Sequence, residues 1–264
     1  MNEVVKRTLS GILYIALLVG AILFSKDTFL ILFGFFYILA VFEFCRLYQI
    51  NKITGYAISA LFALTLFFIN NNELSSIYLI VLPFSCYLII DLFQNQFSRE
   101  NSIIKKHLHL IGYVIIPFLV ITQLPYLNET YTPLLLLSIF IMIWCNDTFA
   151  YICGKQLGKH KLYEKISPKK TIEGFVGGVI FTQIAAFVLF KYTNMQASLP
   201  FWILIGLAVS VLGTIGDLIE SKYKRQAGIK DSGAIMPGHG GILDRLDSIL
   251  FAAPFLFLIY KIVM

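Results

Sequence analysis

The chain has 264 residues, 58% hydrophobic and only 14% charged, with a mean hydropathy of +0.79. Soluble domains carry about a quarter charged residues, so this composition excludes an ordinary water-solvated domain and points to lipid as the main solvent. The net charge of +6 lies in short loops between apolar runs, which favours a membrane surface and anionic substrates and argues against nucleic acid.

Nine apolar runs approach the roughly 20 residues a helix needs to cross a bilayer. In chain order they span 8–24, 29–44, 55–69, 77–93, 110–127, 134–153, 174–190, 201–220 and 249–263. The expected fold is an all-α, polytopic transmembrane helix bundle of about nine membrane segments. The first run follows Lys6 and Arg7 as a secretory signal would, but no small-x-small cleavage site follows Phe24, so a retained helix is expected. The third run is short enough to be re-entrant. With the amino terminus in the cytoplasm, every one of the 21 Lys and Arg except Lys26, Lys191 and Lys261 falls on the cytoplasmic side, as the positive-inside rule asks. Residues 1–133 carry little chemistry and read as scaffold and lipid-facing wall. Residues 134–264 read as the catalytic part, with cytoplasmic loops at 153–173 and 221–243. Cys45, Cys86, Cys145 and Cys153 lack metal or disulfide spacing and read as small apolar residues. His107, His109 and His160 fall in loops and receive no role.

The sixth run contains Asn146-Asp147, and an acid at membrane depth is a candidate functional group. Beyond it, Ser167-Pro168-Lys169-Lys170-Thr171-Ile172-Glu173-Gly174 predicts a helix capped by Ser167 with Pro168 at its first position. Two lysines in that first turn oppose the helix dipole, a conflict an anion bound there would remove. Gly174, Gly177 and Gly178 suit close helix packing. The densest stretch is 213–248. Asp217, Glu220 and Ser221 share a helical face, which Lys224 extends by one turn. A basic loop and the turn Pro237-Gly238-His239-Gly240-Gly241 follow, and Asp244 and Asp247 open the last helix. Each acid alone could serve only a helix end. Two acidic helix ends around one basic loop suit a divalent cation shared with substrate phosphates. His239 reads equally as a phosphate donor or as a turn residue.

These residues resemble the phosphatidate cytidylyltransferases. The similarity is carried by Ser221-Lys222-Tyr223-Lys224-Arg225, Lys230-Asp231-Ser232-Gly233, Pro237-Gly238-His239-Gly240-Gly241 and Asp244-Arg245-Leu246-Asp247, with 167–174 and Asp147-Thr148-x-Ala150-Tyr151 upstream. It is detailed over the second half of the chain and extends to the first half only in hydropathy. The resemblance implies transfer of CMP from CTP to phosphatidic acid, giving CDP-diacylglycerol and pyrophosphate in phospholipid biosynthesis. It also implies Mg²⁺ or a similar divalent cation, K⁺, a homodimer, and the cytoplasmic membrane of a bacterium. Its metal-binding acids map to Asp217 and Asp244, with Asp247 nearby. Lys224, Arg225, Lys230 and Arg245 are then expected to neutralise phosphates, and Lys169 and Lys170 to guide one anion. Thr171, Ser221, Asp231, His239, Gly240 and Gly241 are expected on the substrate side.

A lipid phosphate is largely deprotonated near neutral pH, its second pKa being about 6, so it needs no strong base as a nucleophile. That agrees with the lack of a Ser–His–Asp or Cys–His arrangement. The alternative is a CTP-dependent lipid kinase of the dolichol-kinase type. A CDP-alcohol phosphotransferase would need an Asp-Gly pair, and the chain has none. A prenyltransferase would need a second acid soon after Asp147. A cation transporter would have no use for the glycine-rich turn, and a Walker motif is missing.

Overall fold

A computed structural model describes residues 3–68, 71–94, 100–127, 130–193, 195, 197–236 and 240–264. Helices α1 (Glu3–Phe24) and α2 (Lys26–Tyr48) are separated only by Ser25. Ser25 Oγ accepts the Thr28 N–H at 3.1 Å, and Thr28 Oγ1 accepts the Ser25 N–H at 3.1 Å. This capping box turns the chain back within one residue. Helices α3 (Lys52–Phe68) and α4 (Asn71–Phe93) follow. Next comes one continuous helical stretch, α5 (Ile103–His109), a π-helical segment (Leu110–Ile115), α6 (Ile116–Gln123) and a 3₁₀ turn (Leu124–Tyr126). Then come α7 (Pro133–Leu157), a hairpin of β1 (Lys161–Tyr163) and β2 (Ser167–Thr171), α8 (Ile172–Tyr192), α9 (Leu199–Ala227) and α10 (Leu243–Val263).

The nine expected apolar runs fall on helical stretches except at Leu127, which is in a turn, and Ile69, which lies outside the described residues. Among the described residues, six are long and apolar enough to cross a membrane: Lys26–Tyr48, Ile103–Tyr126, Pro133–Leu157, Ile172–Tyr192, Leu199–Ala227 and Leu243–Val263. The apolar helices Thr8–Phe24, Lys52–Thr65 and Val81–Phe93 are shorter. Among the described residues, the protein is therefore an all-helical membrane protein apart from one hairpin. Apolar side chains such as Ile31, Ile180 and Phe187 are exposed, which suits lipid as their solvent.

The most extensive packing joins α7 to α8, α9 to α10, and α8 to α9. The expected glycine contacts are present. A Cβ on Gly174 would lie 2.6 Å from the Ala150 carbonyl, and one on Gly178 would lie 2.6 Å from Asn146 Oδ1. These glycines let α7 and α8 approach backbone to backbone.

Three local expectations need correction. Helix α8 is capped by Thr171, whose Oγ1 accepts the Gly174 N–H at 3.1 Å, and 167–171 is a strand. Pro168 has no N–H to give a ladder and tolerates the edge of a two-stranded hairpin as well as a first helical turn. Lys169 and Lys170 thus precede the helix, and the dipole conflict inferred for them disappears. Secondly, α7 runs to Leu157 and α9 to Ala227, so 153–157 and 221–227 are helical, not loop. The polar run 221–227 consists mainly of adequate helix formers that continue α9 past its apolar part. Thirdly, His109 is buried at the end of α5, with Nδ1 2.8 Å from the Tyr223 hydroxyl.

Candidate active site

The C-terminal ends of α7 and α9 and the N-terminal end of α10, with the β-hairpin, border two neighbouring cavities. The larger, of about 690 Å³, is lined by Asp147, Lys155, Lys161, Lys169, Lys170, Thr171 and Asp217 among others. The smaller, of about 210 Å³, is lined by Tyr14, Trp144, Asp147, Asp244, Arg245 and Asp247 among others. Asp147 is exposed and borders both. The intramembrane acid singled out in the sequence thus occupies the junction.

In the larger cavity the Lys170 ammonium lies 2.5 Å from Asp217 Oδ2. Burial works against that ammonium, but the adjacent Asp217 charge and hydrogen bond outweigh it and hold its pKa above the ordinary lysine value. One turn along α9, Ser221 Oγ donates to Asp217 Oδ1 at 3.2 Å, as the i, i+4 spacing required. In the smaller cavity Asp244 is held on both oxygens. Its Oδ1 receives Lys224 Nζ at 2.7 Å, and its Oδ2 receives the Ser232 N–H (2.9 Å), Ser232 Oγ (2.9 Å) and the Gly241 N–H (2.7 Å). Lys224 also pairs with Glu220 one turn before it. Asp247 lies within electrostatic range of both Asp217 and Asp147.

The structure therefore gathers Asp217, Lys169, Lys170 and Thr171 in one cavity, and Asp244, Arg245 and Asp247 in the next, with Lys224 and Ser221 behind them. Arg225 borders neither cavity. Its guanidinium donates to the carbonyls of Ile166 and Ile229, both at 3.3 Å, and ties the loop to the hairpin. Lys230 and Asp231 are exposed and border neither cavity. Gly240 has φ +85°, a conformation that favours glycine, and its carbonyl accepts the Met236 N–H at 3.0 Å. Gly241 donates to Asp244 as above. His239, with Pro237 and Gly238, lies outside the described residues.

Among the described residues no three His, Cys, Asp or Glu side chains form a ready metal cage, and Asp217 and Asp244 line different cavities. The donors nevertheless fit a hard divalent cation. Mg²⁺ takes oxygen ligands and is commonly held by one or two carboxylates together with substrate phosphates. Asp217 already has a cation, the Lys170 ammonium, against it.

Two further side chains reach this region from α2 and carry no mark in the motif pattern. Glu43 accepts the N–H groups of Ile242 and Leu243, and Arg46 Nη2 donates to the Ser232 carbonyl at 2.7 Å. The available signal was an acid inside an apolar helix, the same signal that singled out Asp147.

Fold and site together define a membrane-embedded protein whose helix ends confront carboxylates with clustered lysines, a setting for anionic, phosphate-bearing ligands. The model of the "Cytidylyltransferase family" matches residues 5–263. The chain belongs to that family. It is 40% identical over 263 residues to the phosphatidate cytidylyltransferase of Staphylococcus saprophyticus, covering 95% of this chain and 96% of the relative. It is 36% identical over 263 residues to that of Staphylococcus haemolyticus, with the same coverage. It is 49% identical over 123 residues to that of Staphylococcus aureus, covering 46% of each chain.

Proposed function

We infer that this chain is a nucleotidyltransferase that moves the cytidylyl group of CTP onto phosphatidic acid, giving CDP-diacylglycerol and pyrophosphate. The observation that carries this assignment, beside family membership, is the convergence of Lys155, Lys161, Lys169 and Lys170 on one cavity that also holds Asp147 and Asp217. A lipid phosphate must approach a triphosphate, and the obstacle is mutual repulsion of anions. Fixed cations lower it, as in phosphoryl transfer generally. An oxygen of the lipid phosphate attacks the α-phosphorus, the bond from that phosphorus to the bridging oxygen breaks, and pyrophosphate leaves.

In this reading Lys169 and Lys170 receive one phosphate group, and Arg245 neutralises charge from the smaller cavity. Lys224 keeps Asp244 oriented, while Ser221 orients Asp217. A divalent cation, Mg²⁺ or one like it, would be held by Asp217 or Asp244 and would supply positive charge to the phosphates. K⁺ and a homodimer belong to the same proposal on the strength of the family resemblance. So does a topology of about nine spans in a bacterial cytoplasmic membrane, with the amino terminus and both cavities on the cytoplasmic side.

CTP labelled at the α-phosphate, supplied with phosphatidic acid in mixed micelles, should move label into an organic-extractable CDP-lipid with release of pyrophosphate. Label reaching lipid only from the γ-phosphate, with an alcohol as acceptor, would mean a CTP-dependent lipid kinase instead.

A further inference from the structure

We propose that Glu43 is a positioning residue for the reaction, one that clamps Ile242 and Leu243 at the start of α10 beside Ser232 and so sets the Asp244 carboxylate. The catalytic half of this proposal rests on the cytidylyl-transfer reading; the clamp itself does not.

Glu43 is only 1% exposed, inside an apolar helix, where an unpartnered carboxylate is costly. Among the described residues, all of its side-chain hydrogen bonds come from one distant segment. Oε1 accepts the Ile242 N–H at 3.1 Å and Oε2 accepts the Leu243 N–H at 2.9 Å, with Ser232 Oγ 3.2 Å from Oε2. Helix α10 begins at Leu243 with Ile242 in the capping position, and an isoleucine has no oxygen with which to cap. Glu43 supplies the missing acceptor from α2. One turn on, Arg46 grips the same loop by the Ser232 carbonyl at 2.7 Å.

Ser232 is the hub. It is fully buried, and its N–H and hydroxyl both reach Asp244 Oδ2 at 2.9 Å. The hydroxyl has one hydrogen and two carboxylates in range. With that hydrogen on the nearer Asp244, Glu43 holds the segment through the Ile242 and Leu243 N–H groups, and the serine is fixed in place between the two acids. Asp244 is then fixed on Oδ2, with Oδ1 on Lys224, at the edge of the smaller cavity.

The glycines of the motif support the same arrangement. A Cβ on Gly241 would overlap both Glu43 carboxylate oxygens and Ser232 Oγ. A Cβ on Gly233 would lie 2.9 Å from Glu43 Cδ and 2.9 Å from Gly241 Cα. Residues 233 and 241 must lack side chains for the carboxylate to enter between them. The closeness of these two turns to α2, more than backbone freedom, accounts for both glycines.

The test uses the full chain in detergent, as wild type and as Glu43→Gln, Ser232→Ala and Tyr37→Phe. Tyr37→Phe is the control, because it removes an α2 hydrogen bond to the Ser59 carbonyl (3.1 Å) remote from the loop. In Glu43→Gln, amide hydrogen exchange at Ile242 and Leu243 should speed up about tenfold or more, since the acceptors of these two N–H groups are weakened. Its kcat should fall about a hundredfold with the KM for CTP within about threefold, the signature of lost orientation rather than lost binding. Tyr37→Phe should change neither. Unchanged exchange in Glu43→Gln shows there is no clamp. Faster exchange with wild-type kcat shows a clamp without a catalytic role. Either outcome overturns the proposal. If Glu43→Gln does not fold, Ser232→Ala decides: it keeps both backbone bonds to Glu43 and should lower kcat about tenfold, and wild-type kcat there overturns the proposal. Wild-type protein that makes no CDP-lipid removes the functional reading and the catalytic half with it, while the exchange arm still decides the clamp.

Discussion

Replacing Lys170 by Met tests whether the Lys170–Asp217 pair belongs to the substrate site or merely holds β2 to α9. The two side chains are 28% and 31% exposed, between the surface and buried limits. Exposed pairs contribute about 0.2–1 kcal/mol, whereas breaking a buried pair costs about 3–5 kcal/mol. Discounted for this exposure, Lys170→Met should lower stability by about 1–3 kcal/mol, leaving Asp217 with Ser221 Oγ as its remaining hydrogen-bond partner among the described residues. Asp217→Asn should cost a similar amount. The double variant should cost less than the sum, because the pair is lost only once. Activity should behave differently. If both groups act on substrate phosphate and its cation, each single change should lower turnover by about a hundredfold or more, and the double variant should not recover. The folded pKa of Lys170 lies above its unfolded value, so the stability it contributes is fully present below about pH 10.4 and is lost only as pH rises through the folded value. No inflection from this lysine should appear between about pH 6 and 9. The assays are thermal melting in detergent and α-labelled CTP turnover across that pH range. Turnover in Lys170→Met within about twofold of wild type, or recovery in the double variant, would make the pair purely structural.

Two other predictions follow from topology and from a buried charge. In a cysteine-free background, Lys161→Cys should react with an impermeant thiol reagent only from the cytoplasmic side and Lys26→Cys only from outside; the same side for both breaks the proposed orientation. Lys222 is 1% exposed and pairs with Asp91 at 2.8 Å, with the Asp91 and Gln94 carbonyls also accepting from it. Asp91→Asn should therefore destabilise the protein by about 3 kcal/mol in thermal melting while the folded fraction keeps wild-type kcat, and an unshifted melt would show that the carbonyls alone satisfy the ammonium.

Much of the fold was legible because hydropathy registers transfer into lipid, which is the dominant requirement on each helix. The runs 201–220 and 249–263 lie within α9 and α10 for that reason. Helix ends were less legible because hydropathy marks the membrane boundary, whereas a helix continues into water as long as its residues tolerate it. α9 shows this, passing Glu220 and stopping only at Gly228, which has φ +72°. The start of α8 was misplaced because Ser167-Pro168 and Thr171 offer competing local caps. The choice was made by the neighbouring hairpin strand, β1, which pairs Tyr163 with Ser167 and Lys161 with Thr171.

Local spacing was equally reliable within the site and equally silent beyond it. Asp217 meets Ser221, and Glu220 meets Lys224, because residues four apart share a helical face. Arg225 stands in the same motif, yet it serves the hairpin carbonyl at Ile166, a contact no periodicity encodes. Asp147 and Glu43 make the limit plain, since each is an acid in an apolar helix and each gives the same sequence signal. Packing separates them. Asp147 is exposed where two cavities meet, so its charge is available to whatever enters. Glu43 is sealed beneath two backbone N–H groups and a serine hydroxyl, so its charge is spent on holding the chain. The cost of burying an acid can be read from its surroundings in the sequence, but whether a ligand or the protein itself meets that cost depends on which distant segment folds over it.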